Sequence, residues 1–264
     1  MDLQLEGKRA FVTGSTSGIG FAIAKALAAE GARVIINGRT PERSQAAADE
    51  ISRATGNHEI IPFADDLSRA DAAATALREF ELIDILVNNL GTYEPKPFEE
   101  ITDQEWLAMI NTNFMSGVRL TRHYLPKMKE AGWGRIIFIS SESAQQIPAE
   151  MIHYGVTKTM QVALARGLAE TTAGSGVTVN SVLPGPTRSG GVDQFVKDMA
   201  KSRGVSEAEV EHVFFEKVRP SSLLQRFATP DEVAAMVTFV ASPLSSATNG
   251  AALRVDGGVI RSIL

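Results

Sequence analysis

The sequence predicts an α/β fold of the doubly wound kind: one parallel seven-stranded sheet with helices on both faces, formed as a single domain over residues 1–264. Three observations predict it. Short β-rich runs alternate with alanine-rich helical stretches from near residue 7 to near residue 258, with no linker between them. Such alternation gives parallel strands joined by right-handed crossovers. The run Ile83-Asp84-Ile85-Leu86-Val87 is nearly all apolar, as expected of a strand buried on both faces. A glycine-rich turn, Thr13-Gly14-Ser15-Thr16-Ser17-Gly18-Ile19-Gly20, follows the first apolar strand. Doubly wound sheets bind ligands at the carboxyl ends of their strands, which is where this turn falls.

The elements follow in order. Residues 9–12 read as the first strand and 21–30 as its crossover helix, with Gly31 as the stop. Residues 33–37 are the second strand. Thr40-Pro41 supplies an N-cap and a first-turn proline for a helix to about Thr55. Residues 59–63 form the third strand, 70–80 a helix and 83–87 the fourth strand. A long helix covers about 103–130, with Pro126 as a point of adjustment. Residues 135–140 are the fifth strand, 154–172 a helix, 177–183 the sixth strand, 230–241 a helix and 252–255 the seventh strand.

Composition narrows the function. The chain is 44% hydrophobic, enough for one sizeable core. A net charge of -5 with no run of like charges argues against a nucleic-acid partner, which needs a concentrated basic surface. There is no cysteine, so disulfide and thiolate chemistry are excluded, and a reducing cytoplasm suits the chain. The opening Met1-Asp2-Leu3-Gln4-Leu5-Glu6 lacks an apolar stretch, so it is not a secretory signal, and no run approaches a membrane span. The expectation is a soluble cytoplasmic protein. His58, His123, His153 and His212 are scattered without metal-ligand spacing, and no metal site is expected.

Gly14, Gly18 and Gly20 lie where backbone N–H groups can approach a pyrophosphate at a helix N-terminus. Their spacing is G-x-x-x-G-x-G. The end of the second strand selects the cofactor. An acid there would bind the adenosine ribose hydroxyls and favour NAD(H). The sequence instead reads Ile36-Asn37-Gly38-Arg39, and Arg39 suits a 2′-phosphate, so NADP(H) is favoured and NAD(H) remains possible. The plain alternative is a solvated loop arginine, and Ser17 in the turn supplies no second cation.

Farther along, Ser141 precedes Tyr154 and Lys158, which stand one helical turn apart. These residues and the glycine turn resemble the short-chain dehydrogenase/reductase family, in particular members that look like 3-oxoacyl-thioester reductases. The likeness covers essentially the whole chain and implies a Rossmann-like fold. Thr13-Gly14 and Gly18-Ile19-Gly20, with Ser15, Thr16 and Ser17 between them, are similar to its cofactor turn. Asp66-Leu67 matches the pair that contacts adenine. Asn88-Asn89-Leu90-Gly91 is similar to its Asn-Asn-Ala-Gly signature, with Leu90 in the alanine place. A larger side chain there either crowds the cofactor wall or repacks. Asn113 matches the catalytic asparagine, and the resemblance gives it a water relay behind Lys158. Asn180 and Pro184-Gly185 match the segment near the nicotinamide, Thr187 lies where members bind the carboxamide or phosphate, and Val255-Asp256-Gly257-Gly258 matches the C-terminal turn. The resemblance also implies a homotetramer formed through the long helix and the helix that carries Tyr154.

The chemistry follows from the residues. A tyrosine with a pKa of about 10 is a poor proton shuttle near neutrality. A nearby ammonium favours the phenolate, and the i, i+4 spacing lets Lys158 act on Tyr154 and reach the nicotinamide ribose. Tyr154 and Lys158 therefore count among the cofactor-binding residues as well as the catalytic ones. Ser141 can hold the substrate oxygen for Tyr154. The expected reaction interconverts a ketone, with a 3-oxoacyl thioester or similar carbonyl as a candidate, and a secondary alcohol. An NAD-linked alcohol or sugar dehydrogenase is the alternative within the same chemistry, and a catalytically idle nucleotide-binding sensor or scaffold the alternative outside it. No G-x-S-x-G elbow appears, against a Ser-His-acid hydrolase.

Residues 186–229 are expected to form a helical lid over the substrate. Val192, Phe195, Val196 and Met199 share one helix face. Ser206 and Glu209 make a capping box ahead of a second helix carrying Val210, Val213, Phe214 and Val218. Those faces either meet a hydrophobic portion of the substrate or only pack the lid on the body. Glu142, Glu150, Arg188, Arg203 and Arg219 read as solvated groups, with contact to a polar or anionic substrate as the alternative.

Overall fold

The computed structural model describes residues 1–263. All seven strands run parallel in the order β3-β2-β1-β4-β5-β6-β7. They are β1 (Arg9–Val12), β2 (Arg33–Gly38), β3 (Ile60–Ala64), β4 (Ile85–Asn88), β5 (Gly134–Ile139), β6 (Val177–Pro184) and β7 (Ala252–Val255). The chain winds outward from β1 through β2 to β3, then returns to the other side of β1 with β4. That reversal lies between β1 and β4, and it opens a crevice at their carboxyl ends.

Alternate residues of each central strand feed opposite helical layers, as the pleat requires. Ala10, Val12, Ile85, Val87, Ile137 and Ile139 pack against α1 (Gly18–Ala29), α2 (Pro41–Thr55) and α9 (Pro230–Ala241). Phe11, Leu86, Ile136 and Phe138 face α3 (Ala70–Glu79), α5 (Ser116–Glu130) and α6 (Ile152–Glu170). Every residue of β4, β5 and β6 is buried, which accounts for the continuous apolar character of the run at 83–87. The helix starts are set locally. Thr40 accepts from the Arg43 N–H with Pro41 in the first turn, and Thr229 and Glu232 close a capping box on α9.

The stretch 103–130 departs from one regular helix. α4 (Asp103–Ile110) runs into a π-helical turn, Asn111–Met115, before α5. The adjustment falls there and not at Pro126, which α5 carries inside it. The wider turn contains the buried Asn113, and such turns concentrate at functional sites.

Between β6 and α9 stand α7 (Gly190–Arg203) and α8 (Glu207–Lys217). Their apolar residues meet each other: Val196, Ala200, Val210 and Phe215 bury one small core with Phe227, and Val192, Met199 and Phe214 pack against it. Phe195 and Val218 are exposed, so the two apolar faces are narrower than helical spacing suggests. Arg188 is not free in solvent. It pairs with Asp193 at 2.6 Å, Glu207 at 2.5 Å and Glu211 at 3.4 Å, tying the two helices at their base. The neck is closed by a parallel bridge between Thr187 and Ala228.

Candidate active site

The glycine turn is held from three sides. Gly14 takes φ of +60°, a conformation that only glycine adopts readily, and its N–H donates to Asn37 Oδ1 at 3.1 Å. A Cβ at Gly20 would lie 2.5 Å from the Gly14 carbonyl oxygen and against the Asn89 amide. Asn89 Nδ2 donates to the carbonyls of Thr13 at 2.9 Å and Gly14 at 3.0 Å, stitching the turn to the end of β4. Ser15 lies behind the turn, fully buried. Its hydroxyl donates to the Val12 carbonyl at 2.7 Å and accepts from the Asn37 N–H at 2.9 Å. Its side chain therefore shapes the turn and is turned away from the crevice.

A cavity of about 400 Å³ fills the crevice. Gly14, Thr16 and Ser17 form its floor, Arg39 and Arg43 one end, Asp66 and Leu67 a side, and Leu90 and Gly91 the wall toward β4. Gly18, Ile19, Gly20, Asn88, Pro184, Gly185 and Thr187 stand outside this lining. Asn88 turns toward α5, where its Nδ2 donates to Thr121 Oγ1 at 3.2 Å. Gly185 is pressed against the turn after β7: a Cβ there would lie 2.6 Å from the Asp256 carbonyl oxygen. Asn180 spans β6 and the approach to β7, donating to the Thr248 carbonyl and accepting from the Ala251 N–H. Leu90 lies between the cavity and the core. It lines the cavity and packs on the core beneath. Arg43 is a second cation in the cavity that the sequence reading missed. Its signal was present: the Thr40 cap fixes the start of α2 and sets Arg43 in the first turn, back toward Arg39. A larger open cavity, about 610 Å³, between Pro220 and Arg261 is lined by Asp256 and Gly258 of the C-terminal turn and by none of the predicted catalytic or cofactor-binding residues.

Ser141, Tyr154, Lys158 and Asn113 converge beyond the end of β5. Ser141 caps the short turn Glu142–Ala144 with extended backbone. Lys158 is buried, and its Nζ donates to the Ile139 carbonyl at 2.9 Å and to Gln161 Oε1 at 3.3 Å. The Nζ stands 5.6 Å from the centre of the Tyr154 ring. The ideal Cβ position of Gly91 is 3.4 Å from the same nitrogen, so the loop after β4 runs directly past the lysine. Asn113 is locked to that loop by a reciprocal pair: its Oδ1 accepts from the Thr92 N–H at 2.8 Å and its Nδ2 donates to the Thr92 carbonyl at 2.9 Å.

Gln161 completes the group. Its Nε2 donates to the Asn113 carbonyl at 2.5 Å while its Oε1 accepts from Lys158. One side chain thus bridges the π-helical turn and the lysine directly. It stands three positions after Lys158 on the same helix face, a spacing legible in the sequence. Tyr93 is a further addition, its ring edge-on to Tyr154 with centroids 6.1 Å apart.

The electrostatics differ from the argument made on spacing alone. Burial pushes Lys158 down to about 7. Burial also pushes the Tyr154 phenol well above its ordinary value, helped by the charge on Glu142 and by Tyr93, while Ser141 and Arg219 pull it back. Both side chains share one low-dielectric pocket, and each disfavours its own charged form there. Glu142 and Arg219 are also not solvated groups. Glu142 is 5% exposed, and Arg219 Nε donates to its Oε1 at 2.9 Å. Among the described residues, no cluster of His, Cys, Asp and Glu could hold a metal ion, and no helix is long and apolar enough to cross a membrane.

Comparison with known proteins agrees with this arrangement. The profile of the short chain dehydrogenase family matches residues 8–200. The chain is 48% identical to the uncharacterized oxidoreductase YvaG of Bacillus subtilis, covering 100% of both. It is 34% identical to the 3-oxoacyl-[acyl-carrier-protein] reductase FabG of Aquifex aeolicus, over 98% of this chain and 100% of the relative. Among solved structures it is similar to L-sorbose reductase from Gluconobacter frateurii, complexed with NADPH and L-sorbose, at a TM-score of 0.92 and 30% identity over 100% of both chains.

Proposed function

The chain belongs to the short-chain dehydrogenase family of oxidoreductases, and from that premise we propose an NADP-preferring enzyme that interconverts a ketone and a secondary alcohol. The observation that carries the cofactor preference is the pair Arg39 and Arg43 at one end of the crevice, with no carboxylate closing β2. Asp65 and Asp66 line the same cavity, but their carboxylates cap the turn after β3, accepting from the N–H groups of Asp66 and Ser68. Gly14, Thr16 and Ser17 put turn backbone within reach of a pyrophosphate, and the two guanidinium groups suit a phosphate monoester. The NADPH and L-sorbose of the Gluconobacter reductase and the ketone substrate named by the Aquifex enzyme support the same reading.

When bound, NADPH supplies the hydride that the carbonyl carbon takes. The π bond of the carbonyl breaks toward oxygen, and Tyr154 delivers the proton there, so atoms and charge balance. Burial keeps the Tyr154 phenol protonated at neutrality, so the proton to be delivered is in place before the carbonyl reacts. Ser141 holds the substrate oxygen against the phenol. Lys158, fixed by the Ile139 carbonyl and by Gln161, is set to assist reprotonation, with Asn113 holding the loop beside it. A cytoplasmic homotetramer is the assembly this reading carries.

Nicotinamide fluorescence titration with NADPH and NADH tests the proposal. NADPH should bind at least about tenfold more tightly, and Arg39→Ala and Arg43→Ala should each weaken it by about 10- to 100-fold, the worth of a charged hydrogen bond, with little effect on NADH. Tighter NADH, or an Arg39→Ala variant with unchanged NADPH affinity, would favour the NAD-linked dehydrogenase. No binding of either would favour the idle scaffold.

A further inference from the structure

A buried ion pair lies against the catalytic serine, and neither member donates or accepts the transferred proton in the scheme above. Glu142 follows Ser141 directly, and Arg219 comes from beyond α8, with a side chain only 11% exposed. Buried pairs of this kind are weak sources of stability, because desolvation offsets most of their attraction. Buried charges with specific partners, set in a cleft, are candidates for function. The Ser141 hydroxyl donates to Glu142 at 2.5 Å, which places the pair directly against the serine.

The hydrogen bonds of the pair are unevenly filled. Glu142 Oε2 receives three donors: the Ser141 hydroxyl at 2.5 Å, the Ser143 N–H at 2.7 Å and the Ser143 hydroxyl at 2.9 Å. One carboxylate oxygen offers about two lone-pair sites, so one donor can leave without stranding it. Glu142 Oε1 accepts only from Arg219 Nε, so it keeps a free acceptor site. On Arg219, Nη1 donates to the Val218 carbonyl at 3.0 Å and reaches Glu150 at 3.5 Å. Nη2 has no acceptor among the described residues. A free acceptor and a free donor thus stand together beside Ser141. A hydroxyl group uses both at once. An anion does not fit as well, because two carboxylates, Glu142 and Glu150, already share the one guanidinium.

We propose that Glu142 and Arg219 form a hydroxyl-recognition subsite next to the reacting carbonyl, so that the substrate is a neutral α-hydroxyketone and the product a vicinal diol. This rests on the ketone–alcohol reading above and adds the substrate class to it. Glu142 is the sequence neighbour of Ser141 and is hydrogen-bonded to it, so the recognised hydroxyl sits on the carbon beside the carbonyl. On binding, that hydroxyl donates to Glu142 and accepts from Arg219. Ser141 then turns its proton from Glu142 to the carbonyl oxygen. A ketone without the hydroxyl leaves Ser141 engaged by the carboxylate and the subsite unfilled.

The test is NADPH oxidation by the intact protein with matched ketones: hydroxyacetone against acetone and erythrulose against butanone, with pyruvate as the anionic comparison. The hydroxyketone should exceed its plain partner in kcat/KM by about 100-fold or more, since a site built for a hydroxyl rejects the analogue lacking it. Pyruvate should fall well below hydroxyacetone. Glu142→Gln and Arg219→Gln should each lower the hydroxyketone preference by about tenfold or more. The wild-type ratio decides the matter even where a variant does not fold. Equal kcat/KM for hydroxyketone and plain ketone, or a preference for pyruvate, overturns the subsite and leaves the reductase reading standing. No NADPH oxidation with any ketone overturns both.

Discussion

Replacing Lys158 with methionine keeps the length of the side chain and removes its charge. In the folded protein burial holds the Lys158 pKa near 7, against an ordinary 10.5. Between those values the unfolded chain holds a proton that the folded chain lacks, so the stability of the wild-type protein rises with pH across that window. Integrated, keeping Lys158 buried costs about 4 kcal/mol at pH 7, less by about 1.4 kcal/mol for each unit above it, and nothing beyond about pH 10.5. Against this, Lys158→Met strands the Ile139 carbonyl and Gln161 Oε1, at about 1 kcal/mol each. The cofactor-free variant should therefore be more stable than wild type by about 2 kcal/mol at pH 7, equal near about pH 9 and less stable by about 2 kcal/mol above about pH 10.5. In a chain of this size the gain at neutrality is worth about 4–8 °C in Tm. Thermal and denaturant unfolding of both proteins across this range reads the crossing, and other titrating groups cancel in the difference. A variant destabilised by the same margin at pH 7 and pH 10 would refute the reasoning, because the lysine would then carry no burial penalty to relieve.

Two further changes probe the neighbouring devices. Gly20→Ala forces a methyl group against the Gly14 carbonyl and displaces the Asn89 amide that ties the turn to β4. It should cost about 2–4 kcal/mol in denaturant unfolding and weaken NADPH at least about tenfold by fluorescence titration. Gln161→Leu removes the bridge between Lys158 and the Asn113 carbonyl. Steady-state kinetics should show kcat lower by about tenfold with KM moved less than about twofold, the split expected of a residue that positions another in the transition state.

The parts of this protein that depend on near neighbours in the chain are legible in its sequence. The bounds of β1, β7, α2 and α9 follow from apolar runs, the Thr40-Pro41 and Thr229-Pro230 starts and the residues that end them. The glycine turn, Ser141 and the Tyr154–Lys158 spacing lie at strand ends or on one helix face, where geometry is set within a few residues. Arg43 and Gln161 belong to this class too, Arg43 in the first turn of the helix that follows Arg39 and Gln161 three positions after Lys158 on its helix.

Tertiary structure decided the rest. The Glu142–Arg219 pair joins residues 77 apart, and no local pattern distinguishes its members from solvated charges. The π-helical turn at Asn111–Met115 breaks a stretch whose apolar spacing reads as one helix, and its Asn113 carbonyl is answered by Gln161, 48 residues on. The direction in which Tyr154 and Lys158 shift is also absent from the i, i+4 spacing. Spacing sets how close two groups stand, but desolvation sets which protonation state each prefers, and that depends on the whole pocket closed around them.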